Sequence, residues 1–325
     1  GPGLNVKRSP LCGRSFEYFS EDPYLSGKMA AAYVRGIQEN GIAACPKHFA
    51  VNSQELRRMA SNSVLDECTL RELYLTAFEI VVKEAHPKSI MSAYNKVNDT
   101  YANENHHLLV DILRKEWGFD GAVVTDWGGS NDHVEGVKNG STLEMPSPGL
   151  GGARKLLKAV AEGSLTEQEI DLRVDELLEL VLSTTAAMEK APRKFDEKAH
   201  HELARRAAAE SIVLLKNEGG ILPLKHGKKV ALIGDFALTP RYQGAGSSMV
   251  NPTRVDSLKD AMEAAELEMI GYCAGYERSG KPNKAYLDEA VSQAKMADVV
   301  ILCIGLDESS ESEGLDRTHI GIPAV

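Results

Sequence analysis

Along the chain, short runs of apolar residues alternate with longer segments in which apolar positions recur every third or fourth residue. The short runs cover residues 4–7, 42–48, 89–93, 121–125 and 142–145. Between them Leu25, Met29, Tyr33 and Ile37 recur at every fourth position, and Leu70, Leu73, Ala77 and Ile80 follow at steps of three and four. That spacing lines side chains along one face of a helix, whereas the short runs suit strands. Their alternation predicts βαβ units built on a parallel sheet or barrel. A last helix of this region opens on Thr166 and Glu169 in capping-box spacing and carries an apolar stripe through Ile170, Val174, Leu177, Leu178 and Val181.

The pattern then changes. Residues 1–183 read as one domain, and residues 184–227 as a linker, polar from Thr184 with Pro192 inside it, followed by a helix over 202–215 that docks onto what comes next. A second α/β domain spans 228–325, with strands expected at 230–233, 269–273 and 299–304 and helices at 257–265 and 286–297. Three strands are few for a closed parallel sheet.

Composition narrows the classes of function. With 325 residues, 43% hydrophobic and 26% charged, the chain is long enough for two cored domains and unlike a disordered or low-complexity sequence. Its longest apolar stretch, residues 299–306, is far short of the ~18 residues of a membrane span. A net charge of -10 would repel both a nucleic-acid backbone and an anionic membrane surface, so neither is expected as a partner. The five cysteines, Cys12, Cys45, Cys68, Cys273 and Cys303, are scattered and form no disulfide framework or CxxC pair. No targeting segment is visible; the chain reads as soluble, its compartment open with the cytoplasm favoured, and its oligomeric state is unspecified. Met249 stands where a dinucleotide fingerprint begun by Gly244 and Gly246 needs its third glycine, and no phosphate loop or HExxH helix occurs. Adjacent His106/His107 and His200/His201 do not share a helix face. Neither a metal nor an organic cofactor is expected. Asn98 and Asn139 begin glycosylation-like triplets, a signal without force by itself.

Candidate chemistry gathers at strand ends. Asp126 follows the apolar run 122–124 and precedes Trp127, Gly128 and Gly129. A carboxylate at the C-terminal end of a barrel strand sits where such folds place catalysis, although an aspartate there also caps turns. Trp127 beside it would offer an aromatic face to a sugar ring. Lys47 and His48 end another run, as donors to hydroxyl groups or as a surface lysine and a core histidine. Tyr94 follows the run 89–93 and is equally a core tyrosine by type; Arg14, Arg58 and Glu313 carry no individual signal. The recurrence of polar residues at four of five strand ends is what a scaffold kept for stability alone would not require.

Six segments, in order, resemble glycoside hydrolase family 3, and within it the β-glucosidase branch: GPGLNVKRSPLCGRSFEYFSEDPYL, CPKHFAVNSQELRRM, SAYNKVN, LRKEWGFDGAVVTDWGG, ESIVLLKNEGGILPL and ESEGLDR. The resemblance implies an α/β protein, a partial (β/α)8-like barrel followed by a partial α/β sandwich. It implies a retaining exo-acting β-glycosidase, foremost a β-glucosidase hydrolysing terminal β-D-glucosyl residues of small glucosides or oligosaccharides. Asp126 of TDW would be the nucleophile and Glu313 of SEGLDR the acid/base, with Arg14, Lys47, His48, Arg58 and Tyr94 around the sugar and Trp127 as its platform. KHFAVNS replaces the KHFPGHG stretch of the N-acetylglucosaminidase branch, which disfavours that branch. A β-xylosidase or other exo-glycosidase of the family, or a non-catalytic sugar-binding fragment, are the alternatives. Family barrels begin earlier, with an aspartate that holds the sugar's outer hydroxyls, and continue past the sandwich's first part, so the sequence reads as an internal piece of a longer enzyme.

Overall fold

The computed structural model describes residues 1–191, 194–265 and 267–323. The chain divides into two compact units, Gly1–Pro192 together with Glu313–Thr318, and Arg193–Ser312 together with His319–Val325.

The first unit is an arc of parallel extended segments, each beside the next in sequence. The strands are β1 (Asn62–Ser63), β2 (Ser89–Met91), β3 (Lys96–Val97), β4 (Thr100–Tyr101) and β5 (Ala122–Val124). β2 and β5 pair in parallel, and single parallel bridges extend the arc through Gly3/Lys47, Phe49/Ser92 and Val124/Leu143. All five short apolar runs therefore take neighbouring places in one parallel array. The run at 4–7 does so only by bridging, with the Leu4 amide donating to the Lys47 carbonyl at 2.7 Å. β1, β3 and β4 form a small separate sheet drawn from the two connections on either side of β2.

Helices α1 (Pro23–Gln38), α2 (Glu67–Thr69), α3 (Thr76–Ala85), α4 (His133–Lys138), α5 (Leu150–Ala161) and α6 (Glu167–Lys190) belong to this unit, and wider π turns span Leu70–Leu75 and His107–Glu116. Phe49 is central to the core, edge-on to Phe78 at 5.2 Å and to Trp117 at 5.9 Å between ring centroids. The stripe Leu70, Leu73, Ala77 and Ile80 packs into this core as its spacing predicts.

Two other stripes do not. α1 forms where expected, yet its inward residues are Ser26, Gly27, Ala30, Ala31 and Val34, while Leu25, Met29 and Tyr33 are about half exposed. Close approach to α3 is the reason: a Cβ added at Gly27 would lie 2.8 Å from the Ile80 side chain and 3.2 Å from the Ala77 Cα. Only small residues fit that contact. α6 opens with the expected Thr166/Glu169 capping box but buries Arg173 and Glu176 and exposes Val174, Leu178 and Val181. Glu176 pairs with Arg114 at 2.9 Å and Arg173 at 3.0 Å and accepts from the Thr142 hydroxyl at 2.5 Å, so this helix docks through a buried ionic cluster rather than through its stripe. It also continues to Lys190, which makes the stretch from Thr184 helical where a linker was expected.

The second unit is a three-stranded parallel sheet of β6 (Val230–Ile233), β7 (Met269–Cys273) and β8 (Val299–Leu302) in the order β7-β6-β8, with α7 (Glu197–Ser211), α8 (Leu258–Ala264) and α9 (Lys284–Met296). β6, central, is buried along its whole length, as its uninterrupted apolar run requires. The helix expected to dock, α7, runs earlier than its pattern suggests and has no buried residue, and Ile212, Val213, Leu214 and Leu215 after it are exposed. Among the described residues no helix is long and apolar enough to cross a membrane.

Candidate active site

Asp126 leaves the end of β5 on a turn closed by a Gly129 amide to Asp126 carbonyl bond of 2.8 Å, with Gly128 at φ 80, a conformation that suits a residue without Cβ. The side chain is buried. Its Oδ1 accepts the Trp127 amide at 2.7 Å, whereas Oδ2 has no hydrogen-bond partner. Burial raises its pKa above the ordinary carboxylate value, and the Trp127 amide, Arg14, Tyr94 and Arg58 oppose that effect without cancelling it. A buried carboxylate oxygen without a donor is costly and sits ready to bond to something else.

His48 Nε2 lies 3.4 Å from Asp126 Oδ2. The Tyr18 hydroxyl contacts His48 Nδ1 at 3.2 Å, and Asn5 fixes the His48 backbone from both sides, donating to its carbonyl at 3.0 Å and accepting its amide at 2.9 Å. Burial first, then the cations Arg14, Lys47 and Arg58, push the imidazole pKa well below its usual value, so the ring is neutral near pH 7. The neutral ring carries a single N–H, and the Tyr18 hydroxyl can pair with Nδ1 in either tautomer.

Arg14 is almost wholly buried, with Nε on Glu17 Oε1, while Glu17 Oε2 approaches Lys47 Nζ at 3.4 Å. Glu17 thus sits between two cations, Arg14 and Lys47. The Tyr94 hydroxyl donates to the Trp127 carbonyl at 2.9 Å, and the Arg58 guanidinium stacks 4.6 Å above the Tyr94 ring. Burial and the nearby Asp126 raise the Tyr94 pKa, which keeps the phenol protonated as a donor. The Trp127 ring stays 63% exposed, with a face open to a ligand.

Glu313 completes the cluster from the loop that returns to the first unit. Arg58 NH1 is shared between Glu313 Oε1 and Glu55 Oε2, each at 2.8 Å, and Arg14 NH1 approaches the same Glu313 oxygen at 3.6 Å. Glu55 Oε2 also accepts the Gly314 amide at 2.8 Å. Burial raises the Glu55 pKa against the pull of Gly314 and Arg58. Glu311, two residues before Glu313, lies in the second unit, where Arg241 holds its side chain at 2.9 Å.

All eight residues singled out in the sequence, Arg14, Lys47, His48, Arg58, Tyr94, Asp126, Trp127 and Glu313, are linked through this one network of contacts. Glu17, Tyr18, Glu55 and Asp316 also belong to it and were not singled out. The signal for Glu55 is its place three residues before Arg58 in the CPKHFAVNSQELRRM segment; for Asp316 it is its place in ESEGLDR.

Residues 1–180 match the glycosyl hydrolase family 3 N terminal domain, and residues 212–325 match the glycosyl hydrolase family 3 C-terminal domain. The chain belongs to glycoside hydrolase family 3. Within the family it is 47% identical to thermostable beta-glucosidase B of Acetivibrio thermocellus over 99% of this chain and 43% of that enzyme. It is 43% identical to the exo-alpha-(1->6)-L-arabinopyranosidase of Bifidobacterium longum over 100% of this chain and 44% of that enzyme. Among solved structures, the family 3 beta-glucosidase of Bifidobacterium adolescentis superposes with a TM-score of 0.94 at 42% identity, covering 99% of this chain and 47% of that one. The chain thus spans a little under half the length of these family members, and its parallel arc and second parallel sheet are parts of the barrel and sandwich of the family fold.

Proposed function

We propose that this chain carries the catalytic residues of a retaining exo-acting β-glycosidase, foremost a β-glucosidase, that releases terminal β-D-glucosyl residues. The observation that supports it most is Asp126: its Oδ2 is buried and without a donor, and Arg14, His48 and Arg58 crowd the carboxylate. In the first step Asp126 Oδ2 bonds to the anomeric carbon as the glycosidic bond breaks, and Glu313 gives its proton to the departing oxygen. In the second, Glu313 takes a proton from water, water oxygen bonds to the anomeric carbon, and Asp126 leaves as carboxylate. Arg14, Lys47, His48 and Arg58 supply donors for sugar hydroxyls, and Trp127 stacks against the ring.

The test is hydrolysis of an aryl β-glucoside by the chain beside its Asp126→Asn variant, with circular dichroism to verify folding. Turnover that falls by roughly 10⁴-fold in the variant supports the reading. Equal rates for the two proteins contradict it.

A pentopyranoside reading has a specific support, the arabinopyranosidase at 43% identity over the whole chain. None of the polar side chains in the cluster is assigned to the C5 substituent of the sugar. Comparing aryl β-glucoside, β-xyloside and α-L-arabinopyranoside by kcat/KM separates the two readings.

A further inference from the structure

Asp316 is three residues beyond Glu313, and its carboxylate collects backbone donors from two other loops of the first unit. Oδ1 accepts the Gly13 amide at 3.0 Å and the Glu55 amide at 3.0 Å; Oδ2 accepts the Glu55 amide at 2.9 Å and the Leu56 amide at 2.8 Å. Gly13 precedes Arg14, and Glu55 and Leu56 precede Arg58, so one carboxylate ties down the two segments whose guanidiniums approach Glu313 Oε1. The grip is reciprocal, because the Gly314 amide donates to Glu55 Oε2 at 2.8 Å and the Arg317 amide to the Leu11 carbonyl at 2.8 Å. Glu313 is therefore followed at once by two anchors, Gly314 one residue on and Asp316 three residues on. Gly314 at φ 93 lets the backbone turn between them. Both carboxyl oxygens act as acceptors here, whereas an asparagine would present an NH₂ group to backbone donors.

We infer that Asp316 is a positioning residue for the acid/base step: it fixes Glu313 relative to Arg14 and Arg58 without touching the sugar. The inference rests on the glycosidase reading above. Misplacement of a reacting group by about 1 Å costs roughly 100-fold. Asp316→Ala should therefore lower kcat/KM by about that factor for phenyl β-glucosides with poor leaving groups, which need the proton. It should lower it less than about fivefold for 2,4-dinitrophenyl β-glucoside, which does not. Azide should restore part of the deglycosylation rate, and Asp316→Asn, which keeps one acceptor, should fall between wild type and alanine.

Two further readouts keep folding separate from positioning. Stoichiometric labelling by a 2-deoxy-2-fluoro glucoside counts correctly folded sites, and amide hydrogen exchange at Gly13, Glu55 and Leu56 reads the hydrogen bonds themselves. The inference predicts unchanged labelling in Asp316→Ala with faster exchange at those amides. Equal losses for all leaving groups, matched by a fall in labelled fraction, would make Asp316 merely structural and overturn it, as would unchanged exchange at the three amides. A wild-type chain that neither turns over nor labels contradicts the glycosidase reading instead, and amide exchange tells that failure apart from a missing clasp.

Discussion

The two units of this molecule bury very different things. The first encloses an apolar core around Phe49, Phe78 and Trp117, and beside it a set of buried charges: Arg14, Glu55, Asp126, and the Arg114/Arg173/Glu176 cluster. The second buries β6 and a few partners such as Met262, Cys273 and Ala290, while Val300 and Leu302 of β8 and the segment Ile212, Val213, Leu214 and Leu215 are open. Desolvating charge is expensive, and a fold keeps it only where hydrogen bonds and opposite charges compensate. Buried charge is thus concentrated in the first unit, where it serves both the Asp126 cluster and the docking of α6.

The largest contrast to test sets two glutamates two positions apart in sequence against each other. Glu313→Ala should lower hydrolysis of unactivated aryl glucosides by ~10² to 10⁴-fold, the usual range for an acid/base. Glu311→Ala, which loses only its contact with Arg241 in the second unit, should stay within about threefold in the same assay. Comparable losses would erase the distinction between the units.

The cores should differ in kind as well. Phe78 is fully buried, and Phe78→Ala should cost ~3 to 5 kcal/mol; Val300 is 42% exposed, and Val300→Ala should cost under about 1 kcal/mol. Both tryptophans, Trp117 and Trp127, lie in the first unit, so their fluorescence during urea unfolding follows that unit alone, and far-ultraviolet circular dichroism follows both. A weak Phe78→Ala effect would mean that the first unit is no better packed than the second.

Protonation supplies a smaller effect confined to the first unit. The folded pKa of His48 lies below its unfolded value of ~6.5, so the unfolded chain binds the extra proton. Stability from this group is present above ~6.5 and lost as pH falls, by at most about 1.4 kcal/mol per pH unit. The tryptophan-monitored urea midpoint should therefore drop between pH 7 and 5.5 more steeply in the wild type than in His48→Gln. Parallel profiles would place the imidazole in contact with water.

The smallest effect concerns the outward stripe of α1. Met29→Ala should change stability by no more than about 0.5 kcal/mol, while Gly27→Val on the inward face should be strongly destabilising, both read by urea unfolding.

That pair also shows what was legible in the sequence. The order of the five apolar runs, the helices between them and the β6, β7 and β8 strands follow from periodicity, because alternation and apolar runs report burial directly. Which face of a helix turns inward does not follow when the contact selects for size. Ser26, Gly27, Ala30 and Ala31 pack against α3 because they are small, and α6 docks through Arg173 and Glu176, whose partner Arg114 is distant in sequence. Asp126, Lys47, His48 and Tyr94 were visible as strand-end residues. Arg14, Arg58 and Glu313 were visible only through the family motifs; Glu17, Tyr18, Glu55 and Asp316 lie in the same motifs but without a legible role, because their roles are contacts between segments that no local pattern encodes.

The central claim is that Asp126 Oδ2 is a nucleophile held ready by burial and by lack of a donor. It is tested most directly by incubating the chain with 2,4-dinitrophenyl 2-deoxy-2-fluoro-β-glucoside and locating the adduct by peptide mass spectrometry. The account predicts one fluoroglucosyl group per chain, esterified to Asp126, and none on the Asp126→Asn variant. A label on another carboxylate, or none on a folded wild-type chain, would contradict it.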